Sequence, residues 1–393
     1  MIFKELLDKY NSGSASEEEI KLIEEEIAKH EAIEDYLSER YDIGLEKEIL
    51  QSSSNNETTI VKRSVNMRLR KVVLSAVSIV FLILFATYFI VSPIISSFYY
   101  NPSQKTVGKE QEDLYFDIRA FTELNLPGYA IGIGGVRSEK LGFGEYNIYF
   151  ERLNLFNHQN KDIDAKIKRN FKIGSYQDFF PVSSAEYKDR QTNSNNNIVE
   201  SQNEKIINHI KELNPISYVS SYVIFRDDIG VKKFDELREK FNDKVSFNWV
   251  GVRTGSEGSS LDYLCGFNPN IYNGSTTQDS PDKNKYPYLQ LMDYVTSEID
   301  SGKFTGSMTE GYTKHFISLL KYMIDREKAV STLDYNIVKL DHYKNTLAYV
   351  EKNGINIYGV LIYGEARELL NFISNEKVKT IDIKGVLPSK YIN

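Results

Sequence analysis

One uncharged apolar segment near residue 80 constrains this chain more than any other feature. It runs from Val72 to Tyr100 without a single charged residue. A helix needs roughly 20 apolar residues to cross the ~30 Å hydrocarbon core of a bilayer. A secretory signal peptide would lie at the very start of the chain, and a buried core helix would be shorter. We therefore predict a single transmembrane helix over residues 72–95.

The residues on either side of this segment predict its orientation. Basic side chains are concentrated just before it, and the positive-inside rule places such a flank in the cytoplasm. We expect a single-pass protein of the cell membrane with its N-terminus in the cytoplasm and its C-terminal domain outside. The flanking basic residues are Lys62, Arg63, Arg68, Arg70 and Lys71, against Lys105 and Lys109 on the other side.

Charge is unevenly distributed along the chain, whose formal net charge is −7. Residues 1–60 contain sixteen Asp and Glu against six Lys and Arg. An acidic N-terminal segment disfavours direct nucleic-acid binding, because phosphate neutralisation requires the opposite charge. A basic protein partner suits it better.

The N-terminal segment shows the pattern of amphipathic helices. Ser16 followed by Glu19 forms a capping box, with Glu17 and Glu18 in the first turn of the helix it begins. We predict a small all-α cytoplasmic domain over residues 1–50 and a polar, then basic, linker over residues 51–71, flexible over 51–59. Leu6, Leu7 and Tyr10 are spaced for one face of a first helix, and Ile20, Ile23 and Ile27 for one face of a second.

These six residues are our candidate contacts for a protein partner. A unit of about 45 residues is near the lower limit for an independent core, so some apolar surface should remain for binding. The alternative is that the helices are solvated and pack only against one another.

The residues after the span alternate between strand and helix patterns. Tyr146, Ile148 and Phe150 alternate with polar neighbours and predict a half-buried strand in a strand-rich subregion, residues 101–200. Residues 206–393 hold two β-α-β patterns, at 218–252 and 355–383, with parallel strands expected in each. We predict an α/β (α+β) outer domain with a mixed sheet.

The sequence offers no catalytic constellation. No GxSxG or HExxH motif occurs, and the outer histidines lack metal-ligand spacing. The lone Cys265 cannot form an internal disulfide and is expected to be a small buried residue. The most site-like loop is Thr254–Ser260, after a strand end. We expect no enzymatic activity, no metal and no cofactor.

The order of parts resembles a known family. Leu-Leu-x-x-Tyr-x-x-Gly-x-x-Ser-x-Glu-Glu, followed by an acidic helix and one span, resembles the cytoplasmic region of membrane-bound anti-sigma factors of Gram-positive bacteria. The residues that carry this likeness are Leu6, Leu7, Tyr10, Gly13, Ser16, Glu18 and Glu19. Many members hold zinc with a His and Cys set there. This chain has His30 and no cysteine in that region, so the helices are expected to fold without metal.

The outer segment carries a second part of the likeness. NWVGV (248–252), LCGFNP (264–269) and YGVLIYGEARELLNF (358–372) are similar to the C-terminal domain of sigma factor regulators. The resemblance implies an anti-sigma factor that sequesters an extracytoplasmic-function sigma factor and senses envelope stress outside. An envelope protein is a possible further partner. The alternative is a tethered extracellular ligand-binding or scaffolding module with a passive cytoplasmic tail.

Overall fold

The computed structural model describes residues 10, 12–13, 15–45, 56–173, 196–255, 264–272, 280–333 and 339–390. The chain divides into two units, Met1–Leu82 and Ile83–Asn393. Elements are numbered below in chain order over the described residues.

The N-terminal unit is helical wherever it forms described secondary structure. Helix α1 spans Glu17–Leu45. Its predicted capping box is confirmed, because the Ser16 amide donates to Glu19 Oε2 at 2.9 Å and the Glu19 amide donates to Ser16 Oγ at 3.3 Å. The all-α fold of residues 1–50 stays a prediction, since residues 1–9 and 46–50 lie outside the described part.

A long apolar helix follows. Helix α2 spans Asn56–Ala86, a π-helical turn covers Thr87–Val91, and α3 spans Ser92–Ser97. The π turn precedes Pro93, which has no amide hydrogen to continue an α-helical ladder. The predicted flexible link is wrong for residues 56–59, which are helical; residues 51–55 are outside the described part.

The helical stretch Val65–Ser97, called the apolar helix below, is long and apolar enough to cross a membrane. It has 33 residues, and none in its most apolar window is buried. It includes residues 72–95, over which the uncharged run predicts a span.

The first sheet of the C-terminal unit is an antiparallel meander in the order β1-β2-β3-β4. The strands are Tyr129–Gly142, Glu145–Asn154, Asn160–Lys168 and Phe171–Ile173, and α4, Asp113–Asn125, packs on the sheet. Strand β2 buries Tyr146, Ile148 and Phe150 on one face, as the alternation predicts.

The second sheet has five strands in the order β7-β6-β8-β5-β9. Its strands are β5 Tyr218–Gly230, β6 Val245–Val252, β7 Gly266–Phe267, β8 Asn356–Glu365 and β9 Val378–Leu387. The helices of this region are α5 Asn196–Glu212, α6 Val231–Lys240, α7 Leu291–Asp300, α8 Thr309–Asp325, α9 Glu327–Leu333, α10 Lys339–Asn353 and α11 Ala366–Asn375.

The prediction of a mixed sheet is wrong, because every strand pair in the described residues is antiparallel. Strand β8 lies between β5 and β6, and β5 lies between β8 and β9. The two predicted β-α-β patterns therefore interleave as split β-α-β units, in which the parallel strands of each unit never pair directly. The α+β part of the prediction holds.

Both faces of the second sheet are covered. One face packs Phe234, Phe247 and Phe316 into the main core. The other carries a second aromatic cluster around Trp249, Tyr358 and Tyr363. The Trp249 indole donates to the backbone oxygen of Glu123 at 2.9 Å, which fastens the end of α4 to this sheet.

Candidate functional site

The predicted contact residues of the N-terminal unit differ sharply in exposure. Ile23 is completely buried, Ile20 is half-buried, and Ile27 and Tyr10 are 43% and 38% exposed. Leu6 and Leu7 lie outside the described residues. A buried side chain cannot contact a partner without rearrangement, so Ile23 supports the helix rather than offering surface. The six-residue assignment stays a prediction.

A second exposed apolar row lies on α1. Leu22, Ile33, Tyr36 and Leu37 are 52%, 58%, 58% and 46% exposed. At roughly 100° per residue these positions fall within a sector about 100° wide. The i, i+3, i+4 spacing indicates Ile33, Tyr36 and Leu37, but it does not indicate Leu22, whose neighbours at i+3 and i+4 are Glu25 and Glu26. This row and Ile27 together form the exposed apolar surface of α1.

Acidic side chains lie beside and between these apolar positions. Exposed carboxylates follow one another along the helix, and an acidic rim speeds encounter with a basic partner. They belong to Glu24, Glu25, Glu26, Glu31 and Glu34. The helix therefore offers apolar anchors within a negative field.

The basic flank lies in α2 immediately before the most apolar part of the helix. Arg63, Arg68, Arg70 and Lys71 are exposed there. Lys62 belongs to the same helix, and its side chain lies outside the described part.

In the C-terminal unit, the end of the apolar helix is joined to the β1–β2 turn. Ser92 Oγ accepts a hydrogen bond from the Phe143 amide at 2.8 Å, and Ser96 Oγ accepts one from the Gly144 amide at 3.0 Å. The turn can present both amides because Gly142, Phe143 and Gly144 have φ angles of 95°, 53° and 76°. Ser92 and Ser96 are 2% and 5% exposed.

The segment after the apolar helix enters a buried polar cluster. Tyr100 Oη donates to Asp117 Oδ2 at 2.6 Å, and Tyr322 Oη donates to Asp117 Oδ1 at 2.5 Å. Arg326 binds the same carboxylate through Nε and Nη2, each at 2.9 Å, and reaches Asp113 at 3.1 Å. Burial and the neighbouring Asp117 raise the pKa of Tyr100 well above its usual value. The cluster holds Tyr100, just after the apolar helix, against α4 and the end of α8.

The described residues show no cluster of metal ligands. No group of three His, Cys, Asp or Glu in this part of the chain could hold a metal ion. Cys265 is buried, as expected. The pair His315–Glu123 is internal, with Nε2 and Oε1 2.8 Å apart. Most of the predicted loop site, residues 256–260, lies outside the described part.

Comparisons with known proteins agree with this architecture. The family described as sigma factor regulator C-terminal matches residues 210–384, which include almost all of the second sheet. The whole chain is also similar to the probable anti-sigma-M factor YhdL of Bacillus subtilis (strain 168), at 22% identity over 98% of this chain and 97% of that protein. Both findings support an anti-sigma and sigma factor regulator family. No solved structure matches this chain.

The two similarities cover different parts of the chain. The family match contains neither α1 nor the apolar helix. The similarity to the Bacillus protein extends over both.

Proposed function

We propose that this protein is a membrane-anchored anti-sigma factor. Its N-terminal helices bind an extracytoplasmic-function sigma factor in the cytoplasm and withhold it from transcription. Its C-terminal unit lies outside and responds to the state of the envelope. The protein acts by binding rather than by catalysis.

The observation that carries this proposal is the exposed apolar surface of α1. A sigma factor needs basic surface for DNA, and an acidic helix with apolar anchors is complementary to such a surface. The full-length similarity to a probable anti-sigma factor supports a sigma factor as the partner.

The basic flank of the apolar helix supports the proposed orientation. Four exposed basic side chains precede the most apolar part, and such clusters are retained on the cytoplasmic side. The junction at Ser92, Ser96 and Asp117 supports the transmission of a signal from the C-terminal unit to the apolar helix. It joins the two through buried hydrogen bonds.

A transcription reporter for each extracytoplasmic-function sigma factor of the source organism tests this proposal. Deletion of residues 1–60 is expected to raise transcription from one of these reporters. The Ile33→Asp variant should do the same, because it places a charge on the exposed apolar surface. Ile299→Asp is the matched control, with the same change at a side chain 57% exposed in α7, against 58% for Ile33. Unchanged transcription after both the deletion and Ile33→Asp contradicts the proposal.

A second candidate is the tethered ligand-binding module. An open groove of about 510 Å³ runs along α7 and is lined by Lys283, Tyr288, Asp293, Ser297 and Asp300 among others. Asp293 is 7% exposed, and its Oδ2 has no hydrogen-bond partner among the described residues. A small ligand with N–H or O–H donors would fit this groove. Under this candidate, deletion of residues 1–60 leaves every sigma reporter unchanged.

A further inference from the structure

The β1–β2 turn lies unusually close to the end of the apolar helix. A Cβ added to Gly142 would lie 3.1 Å from Ser92 Oγ and 3.7 Å from Tyr88 Cε2. Counting roughly 20 residues from Val72 for a ~30 Å hydrocarbon core ends the core near Val91. Tyr88 is then about one helical turn inside that boundary and Ser92 lies at it, so the β1–β2 turn contacts the helix near the boundary.

The side chains of the turn suit this depth. Leu141 is 38% exposed at the end of β1, and Phe143 is half-buried beside it. Phe98, at the end of the apolar helix, is 69% exposed. Exposed aromatic and aliphatic side chains near the end of a membrane-spanning helix are typical of the headgroup–acyl boundary.

Two backbone amides of the turn have hydrogen-bond partners within the protein, as an environment without water requires. In hydrocarbon, an unsatisfied backbone N–H costs several kcal/mol, so such groups need a partner within the protein. The Phe143 and Gly144 amides find theirs in Ser92 and Ser96. Ser96 Oγ in turn donates to the Ser92 backbone oxygen at 2.8 Å. The Gly144 oxygen accepts from the Arg169 amide at 2.7 Å.

Charged side chains border the turn. Lys140 and Arg169 are exposed, and the Arg169 guanidinium lies 5.9 Å from the centre of the Tyr99 ring. Long basic side chains at this position can extend their charged groups to lipid headgroups while their stems lie along apolar surface.

We propose that the tip of the β1–β2 hairpin, Leu141–Gly144, is embedded in the headgroup–acyl boundary of the leaflet facing the C-terminal unit. Lipid is the partner of this surface. The inference rests on the proposed membrane span and adds a second membrane contact, which holds the C-terminal unit against the bilayer.

Spin-label accessibility of the full chain in phosphatidylglycerol–phosphatidylethanolamine vesicles tests the inference. Three variants carry one label each: Leu141→Cys at the tip, Ile83→Cys within the apolar helix and Tyr272→Cys on a surface 71% exposed. The native Cys265 is 1% exposed, so the unsubstituted chain should take up no label. Collisions with oxygen report lipid, and collisions with a water-soluble nickel complex report solvent.

We expect Leu141→Cys to be less accessible to nickel than Tyr272→Cys, and to lie less deep in the lipid than Ile83→Cys. If Ile83→Cys is protected while Leu141→Cys is as accessible to nickel as Tyr272→Cys, the inference is wrong and the span remains. If Ile83→Cys itself is accessible to nickel, the proposed span fails and the inference fails with it. Unchanged Trp249 fluorescence in each variant verifies that the C-terminal unit is folded.

Discussion

Arg326 binds both carboxylate oxygens of Asp117, with Nε and Nη2 each 2.9 Å from an oxygen. The two residues are 209 positions apart, and the Asp117 side chain is completely buried. Tyr100 shares the same carboxylate. The segment that leaves the apolar helix is therefore held by a charge pair that also joins α4 to the end of α8.

Replacing Arg326 should destabilise the C-terminal unit strongly. Arg326→Met leaves Asp117 buried without its counter-charge, and breaking a buried pair in this way costs about 3–5 kcal/mol. Arg367→Met is the matched control, because Arg367 is 61% exposed and pairs with Glu365 at the surface; such pairs contribute about 0–1 kcal/mol. Thermal unfolding of the detergent-solubilised chain, followed by its single tryptophan, measures both. Equal melting temperatures for the two variants would contradict the assigned role of Arg326.

Removing the Ser96 hydroxyl should weaken the junction at the apolar helix. Ser96→Ala leaves the Gly144 amide buried without an acceptor, which costs about 1–3 kcal/mol. Ser97→Ala is the control, because the exposed Ser97 hydroxyl only donates to the Ile94 backbone oxygen in the same helix. The difference appears in the unfolding temperature reported by Trp249. A Ser96→Ala chain as stable as Ser97→Ala would show that the turn does not depend on this bond.

Gly144→Ala should be more costly than an alanine at another left-handed glycine. A Cβ at Gly144 would lie 2.9 Å from Tyr99 Cδ2, whereas one at Gly302 would have nothing within 4 Å. Both residues have positive φ, at 76° and 67°, so backbone strain of about 1 kcal/mol applies to each. The contact adds to it only at Gly144. The difference between the free energies of unfolding of Gly144→Ala and Gly302→Ala measures the cost of the contact with Tyr99. Equal values would show that this contact has no cost.

The stability of the C-terminal unit should fall in acid through Glu123. Burial raises the pKa of Glu123, but His315 and Arg119 outweigh burial, and the pKa lies below its ordinary value of 4.5. Between the two values the unfolded chain binds more protons, so this group stabilises the fold above its ordinary pKa. That stabilisation is lost as the pH falls through the folded pKa.

Unfolding measured between pH 6 and pH 3 checks this sign. We expect the wild-type chain to lose more stability across this range than the Glu123→Gln chain, which has no proton to take up at that position. Parallel curves for the two chains would show that Glu123 does not contribute to the acid sensitivity.

Local sequence patterns predicted the parts of the structure that depend on neighbouring residues. The capping box at Ser16, the alternation of β2 and the uncharged run each reflect contacts within a few positions of the chain. Strand order does not depend on contacts within a few positions of the chain. Central strands such as β5 and β8 are buried on both faces, so their continuous apolar sequences look alike in parallel and antiparallel sheets.

The candidate site shows the same limit. Helical spacing placed Ile20, Ile23 and Ile27 on one face, but it could not show that Ile23 is buried while Leu22 is half exposed. The junction depends on pairs such as Ser92 with Phe143, 51 positions apart. A serine in an apolar run has no local feature that predicts such a partner.

Direct binding to a sigma factor tests the central claim. The full-length chain, solubilised from membranes, would be titrated with each purified extracytoplasmic-function sigma factor of the source organism, beside its Ile33→Asp and Ile299→Asp variants. The account predicts that one sigma factor binds the wild-type chain and Ile299→Asp, and binds Ile33→Asp at least tenfold more weakly, a loss of about 1.4 kcal/mol. Failure of every sigma factor to bind the wild-type chain would contradict it.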